Sequence, residues 1–245
     1  MHETLAQAQT MTQRNRLLCA LSNANQALLQ PYLERAPLTF RQRLQSANRQ
    51  ITGVYFPHSG VVSVVAVNAR QRRQSEITIV GREGMTGLPV VHGAERSPFE
   101  VYVQVAGQAQ CISAHRLRCV MDESPTLQKC LLRYAHVFGV RAGYTAFANA
   151  QGKIEERLAR WLLMVQDRLE TDDLCLTHEF MAIMLGVRRA GVTAALQHFL
   201  SKGVIATTRG AVTVKDRDGL KACANGLYGV PEAELERLFP ISKVG

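Results

Sequence analysis

Nowhere does this chain run apolar for the ~18 residues that a transmembrane helix needs. Residues 1–18, MHETLAQAQTMTQRNRLL, offer neither a long apolar stretch nor a small-residue cleavage site, so they do not read as a secretory leader. Both absences lead to the expectation of a cytoplasmic protein with no use for a membrane. The six cysteines, at 19, 111, 119, 130, 175 and 223, form no C-x-x-C pair and fit no zinc-ligand spacing. They are expected to be free thiols serving as small core hydrophobes. No His-x-His run exists for a cupin-like metal enzyme, since Ser59 and Gly60 follow His58. No G-x-S-x-G marks a nucleophile elbow. Hence no catalytic residue, metal ligand or cofactor is assigned, and an enzyme is not expected. Internal repeats and low-complexity linkers are missing as well.

What is present is a globular composition. Hydrophobic residues make up 47% of the 245, too many for a disordered chain and enough for one large domain or two small ones. The formal net charge of +9 asks for an anionic partner, and its distribution matters more than its sum. Residues 1–150 carry 16 Lys/Arg against 8 Asp/Glu, partly in the clusters Arg41, Arg43, Arg49 and Arg70, Arg72, Arg73. Residues 151–175 are net acidic, with 4 against 6. Residues 176–215 then carry 5 against 1.

The texture of the chain changes three times. Residues 11–35 suggest one or two short helices ending near Pro37. From 38 to 112 short β-rich stretches alternate with turn residues: ITGVYF (51–56), VVSVVAV (61–67), SEITIV (75–80) and FEVYVQV (99–105). Strands at this spacing predict a sandwich or barrel. Helical texture returns at Ser124, an N-cap followed by Pro125. Leu127, Leu131, Tyr134 and Phe138 then recur at steps of four and three, a short coiled-coil-like pattern. Two readings stay open for it: a dimer seam, which is preferred, or a helix packed on its own barrel. After a break at Asn149–Gly152, Ile154, Leu158, Trp161, Leu162, Val165 and Leu169 mark a second amphipathic helix.

Residues 177–200, THEFMAIMLGVRRAGVTAALQHFL, have helix-turn-helix spacing. Thr177 caps a short helix whose apolar side is Phe180, Met181, Met184 and Leu185. Gly186 suits the tight turn, and Val187 plugs the space between the helices. Val192, Leu196, Phe199 and Leu200 give the second helix a buried face. That helix opens on Arg188 and Arg189, and an arginine at this place can donate two hydrogen bonds to guanine O6 and N7 in the major groove. VIATTRGAVTV (204–214) reads as a two-stranded wing. Double-stranded DNA is therefore the expected partner. Arg189, Arg188 and Thr193 are the base-reading candidates. Thr177, His178, Arg188, Lys202 and Arg209 are the phosphate-holding candidates.

Together, RLARWLLMVQDR (157–168), LTHEFMAIMLGVRRAGVTAAL (176–196), RGAVTVKDRDGLKA (209–222), VYFPHSGVVSVV (54–65) and GREGMTGLPVV (81–91) resemble the Crp/Fnr family of bacterial transcription regulators, over roughly residues 14–228. The resemblance implies an α+β chain. A cyclic-nucleotide-binding-like jelly roll (double-stranded β-helix) with N-terminal helices would span 14–123 and a dimerisation helix 124–149. A winged helix-turn-helix would span 150–228, followed by a tail with a short helix over 229–245. It further implies a homodimer that meets RNA polymerase, Arg189 as the base-reading arginine, and Arg188 and Thr177 on phosphates. The cyclic-AMP-dependent type of member has a glutamate one step after that arginine and a second arginine four beyond the glutamate. Ala190 and Ala194 stand in those places, so a different target sequence is implied.

The sensor domain departs from the nucleotide-binding pattern too. The family's ribose-binding glutamate sits in a G-E-L-G-L-like turn that here reads Gly84-Met85-Thr86-Gly87-Leu88, and its R-S-A is Arg96-Ser97-Pro98. Methionine accepts hydrogen bonds too weakly to hold a ribose hydroxyl, and Pro98 removes a backbone N–H. Gly84, Met85, Thr86, Arg96 and Ser97 line the candidate effector pocket, but cyclic AMP is not the expected occupant and the effector is unassigned. The iron–sulfur cysteine cluster of oxygen-sensing members is absent, with Cys19 standing alone. His58, His92 and His115 are read as structural or solvent-facing. The competing reading is a nucleotide-dependent interaction module that does not bind DNA; Arg188 and Arg189 argue against it.

Overall fold

The computed structural model describes residues 15–68, 70 and 73–240. Two short helices open it, α1 (Arg16–Cys19) and α2 (Asn23–Leu29). Asn15 caps α1 by accepting from Leu18 N (3.0 Å) and donates to the carbonyls of Pro57 (2.7 Å) and Gly84 (2.8 Å). This one buried amide thereby fixes the first helix to the roll that follows. The expected strands form at Gly53–Pro57 (β3), Val61–Asn68 (β4), Arg73–Val80 (β5) and Phe99–Val105 (β6). Three further strands join them: β1 (Glu34–Leu38), β2 (Arg43–Gln45) and β7 (Gly107–Ser113). The helical reading of residues up to 35 is corrected at its end, where β1 begins at Glu34 and runs through Pro37. Proline is tolerated there because β1 is an edge strand.

The strands make two antiparallel sheets, ordered β1-β7-β3 and β2-β6-β4-β5. Leu38, Val62, Val64, Val80, Val101, Val103 and Ala109 fill the space between them. A strand of an open antiparallel sheet should alternate buried and exposed residues. In β4, however, Val61 to Val65 are all buried. The second face is covered from within the chain, since Val61 and Ile79 belong to the core of the C-terminal helices.

After α3 (Leu88–Val91) and α4 (Ala114–Glu123), Ser124 accepts from Leu127 N (3.3 Å) and starts the long helix α5 (Pro125–Gln151). Its expected seam is corrected. Leu127, Leu131 and Tyr134 are fully buried beside Met85, Leu117 and Phe56, and Phe138 is half-buried against the same core. The four-three spacing records a helix packed on its own roll, not a face offered to a second chain. The exposed stripe of α5 is a different one: Leu132, Gly139, Gly143 and Phe147, with Val140 half-exposed. Among the described residues, none outside the helix's own neighbouring turns lies within 4 Å of where a Cβ would stand at Gly139 or Gly143.

Helix α6 (Ile154–Leu169) follows a two-residue break at Gly152 and Lys153. Beyond it come β8 (Asp173–Leu174), α7 (His178–Leu185), α8 (Arg189–Ser201), β9 (Ile205–Thr208), β10 (Ala211–Val214), α9 (Arg217–Cys223) and α10 (Val230–Leu238). The last helix returns to the β-roll. Leu235 and Phe239 enter the core beneath α5, His136 pairs with Glu234 (2.9 Å), and the Arg16 guanidinium binds Glu236 and the Phe239 carbonyl.

Candidate nucleic-acid interface

Helix α7 begins where Thr177 Oγ1 accepts from Phe180 N (3.2 Å). It ends at Gly186, whose φ of +64° lies in the left-handed region that glycine enters without a Cβ clash. Val187 N then bonds Ala182 O (3.0 Å), and Arg188 adopts the extended backbone of an N-cap for α8. Val192, Ala195, Leu196 and Phe199 bury the inner face of α8. On the outer face Arg189, Ala190, Ala194 and Gln197 are exposed and Thr193 is half-exposed. The two helices are tied at their outer ends by His178 Nδ1 and Thr193 Oγ1, 3.0 Å apart. Helix α8 thus has one face held by packing and the other presenting hydrogen-bonding groups, the arrangement a major groove admits.

Of the expected site residues, His178 and Thr193 are in contact, Thr177 caps the start of α7, and Arg188 and Arg189 open α8. Lys202 and Arg209 lie elsewhere. Lys202 is exposed at the far end of α8, about 20 Å along a 13-residue helix. Arg209 is exposed in the turn between β9 and β10, where Gly210 takes φ +81°. The wing has a third strand, β8, paired with β10. Gln197 was not singled out from sequence, although it stands four residues after Thr193 and eight after Arg189, on the same helical face. Arg157 is half-buried and donates to the Leu185 carbonyl.

A cleft of about 1270 Å³ separates the start of α8 from the β4–β5 hairpin. Arg157, Arg188 and Arg189 line it opposite Asn68, Gln74 and Ser75, with Glu179 as the one acidic group in its lining among the described residues. Three guanidiniums against one carboxylate make it a place for anions.

The candidate effector residues show a different character. Met85 is fully buried and Thr86 Oγ1 accepts from Tyr55 N (3.0 Å). A Cβ on Gly84 would fall 1.8 Å from the Tyr134 hydroxyl, so the inside of this turn is occupied by the chain's own tyrosine. Burial of that phenol, with the Glu83 carboxylate nearby, pushes its ionisation above the ordinary range. Arg96 is exposed on an isolated bridge to Gln50, and Ser97 is buried, its Oγ accepting from Phe99 N (3.2 Å).

Comparison with known proteins fits this geometry. Residues 156–223 match the model of the Crp-like helix-turn-helix domain. Similar solved structures include FixK2 from Bradyrhizobium japonicum, with a TM-score of 0.68, 13% identity and coverage of 78% of this chain and 96% of that one. The c-di-GMP-responsive global regulator CLP of Xanthomonas campestris gives 0.65 and 14%, covering 79% and 99%. A Crp-family transcriptional regulator from Thermus thermophilus gives 0.64 and 17%, covering 79% and 97%. No curated protein matches the sequence.

Proposed function

We infer that this chain, whose residues 156–223 match the Crp-like helix-turn-helix domain, is a transcription regulator of the Crp/Fnr type that reads a two-fold-symmetric DNA site as a homodimer without needing cyclic AMP. The observation that carries the DNA reading is the exposed pair Arg188–Arg189 at the start of a helix whose opposite face is locked in the core. Arg189 reads guanine by two hydrogen bonds, and Thr193 and Gln197 extend the reading along the same face. Arg188, with Thr177 and His178, faces phosphates; Lys202 and Arg209 hold the backbone further along.

The dimer is proposed along the exposed stripe of α5. Glycine inside a helix costs roughly 0.5–1 kcal/mol relative to alanine. Gly139 and Gly143, four apart with open space beside both, are best explained by a second copy of the helix approaching closely there, with Leu132 and Phe147 packing on either side. Independence from cyclic AMP is supported by Met85 in place of a ribose acceptor and by Tyr134 filling the turn.

Selecting duplexes from a random-sequence pool tests the reading. A pseudo-palindromic site with half-sites about 34 Å apart, or a multiple of that, is the expected product. Its affinity should be unchanged by cyclic AMP or cyclic GMP. No enrichment above the starting pool would count against DNA reading, and a tenfold gain with either nucleotide would count against independence from it.

A further inference from the structure

Glu76, on β5, is buried where the roll's outer sheet meets the DNA-binding unit, and its carboxylate spans the junction. Oε1 accepts from the Trp161 indole N–H of α6 (2.8 Å), and Oε2 lies 2.9 Å from Ser63 Oγ on β4. Ser63 Oγ is also 2.6 Å from Gln104 Oε1 and contacts the Met184 sulfur of α7 at 3.8 Å. A hydroxyl has one hydrogen to give. If Ser63 gives it to Gln104, the contact with Glu76 is closed by a proton on the carboxyl. The ionised carboxylate is served only after the Gln104 amide turns over, so that its N–H donates to Ser63 and Ser63 donates to Glu76. Beside Glu76 lies a cavity of about 10 Å³ bounded by Thr145, Arg160, Trp161 and Met184, on the scale of one water.

We propose that Glu76 is a proton-operated latch, which when protonated holds the DNA-binding unit on the β-roll and when ionised loosens it. The consequence for DNA rests on the function proposed above: latching keeps Arg188 and Arg189 in the cleft facing the β4–β5 hairpin. Burial is the largest influence on this carboxyl and holds it up at about 7. The Ser63 and Trp161 hydrogen bonds and the Arg168 and Arg160 charges of α6 oppose that rise and keep the group within reach of neutral pH. Arg157 of α6 lines the same cavity, and Tyr102 of β6 is the facing titratable group from the sheet. From α5 come Thr145, Ala148 and Asn149, and from α7 Met184 and Leu185, none of which titrates. A raised carboxyl favours the state that keeps its proton. The latch is therefore strongest below the ordinary value of 4.5, weakens across the interval up to about 7, and is level above it. Between pH 6 and pH 8 the latched state should lose about tenfold in relative population.

Trp161 is the chain's one tryptophan, so it reports on the latch directly. Acrylamide quenching of the intact protein should rise severalfold from pH 6 to pH 8 with a midpoint near neutral. It should stay flat and low in Glu76→Gln, which mimics the protonated group. Ser63→Ala, which removes a hydrogen bond to the ionised form, should move the midpoint up. Quenching that is flat in the wild type, or that changes equally in Glu76→Gln, would overturn the latch. Bound to the selected duplex at pH 8, Glu76→Gln should be weaker than the wild type; equal affinity would overturn the link to the recognition helix. Failure of both proteins to bind any duplex would strike the DNA reading instead and leave the quenching result standing.

Discussion

Two buried carboxylates at one junction respond to pH in opposite directions, because one has cationic partners in contact and the other has none. Glu83 accepts from Arg141 (2.8 Å) and Arg168 (2.9 Å), all three buried, and also takes the Gly81 N–H (3.1 Å). Burial alone would raise its titration, but the two guanidiniums and the hydrogen bonds outweigh burial and lower it. Its contribution is present above the ordinary carboxylate range and is lost as pH falls through the lowered value. Glu76 contributes most on the acid side. Replacing Glu83 by Gln leaves two buried guanidiniums without their anion and should destabilise the fold by about 3–5 kcal/mol in urea titration at pH 7; a loss under ~1 kcal/mol would mean the triad is already hydrated. At the DNA face, Lys202→Ala should weaken binding to all sequences alike and reduce the salt slope by about one. A change in sequence preference instead would place Lys202 on a base.

At the scale of elements, the long helix separates two kinds of apolar position that look alike in sequence. Leu131→Asp should unfold the roll, since the residue is fully buried in its own chain. Leu132→Asp should leave the fold intact and yield monomers in light scattering. Folded dimers after Leu132→Asp would exclude the exposed stripe. The four-three spacing of Leu127, Leu131, Tyr134 and Phe138 was legible as a buried stripe, but what buried it was not. Periodicity reports a covered face and is silent on whether the cover is the same chain. The turn at Gly186, the capping Thr177 and strands β3 to β6 were legible because each rests on local chemistry. Strands β1, β2 and β7 were not: Pro37 interrupts the first, the second is three residues long, and QAQC in the third alternates weakly. Gln197 could have been found by asking which polar residues share a helical face with Arg189.

At the scale of the whole molecule, the packing of the DNA-binding unit on the roll had one trace in the sequence, the unalternating VVSVV, which needs cover on both faces. The contact is close enough to trap. A Cβ at Gly186 would stand 4.0 Å from that of Ser75, within disulfide range. Ser75→Cys with Gly186→Cys should therefore cross-link under oxidation and lose at least tenfold in DNA affinity relative to Gly186→Cys alone, which carries the same backbone strain at φ +64°, with recovery on reduction; a cross-linked protein that binds as that single variant does would show that the docked arrangement reads DNA. The α10 helix holds the same arrangement from the other side, and Phe239→Ala should cost about 3–5 kcal/mol of stability by opening a cavity beneath α5. The most direct measurement of the central claim is the affinity of the selected duplex, base by base, for the wild type and for Arg189→Ala. A loss of about 1–3 kcal/mol is expected, confined to one guanine position per half-site, with preference at that position relaxed. Unchanged affinity and unchanged preference at every position would contradict it.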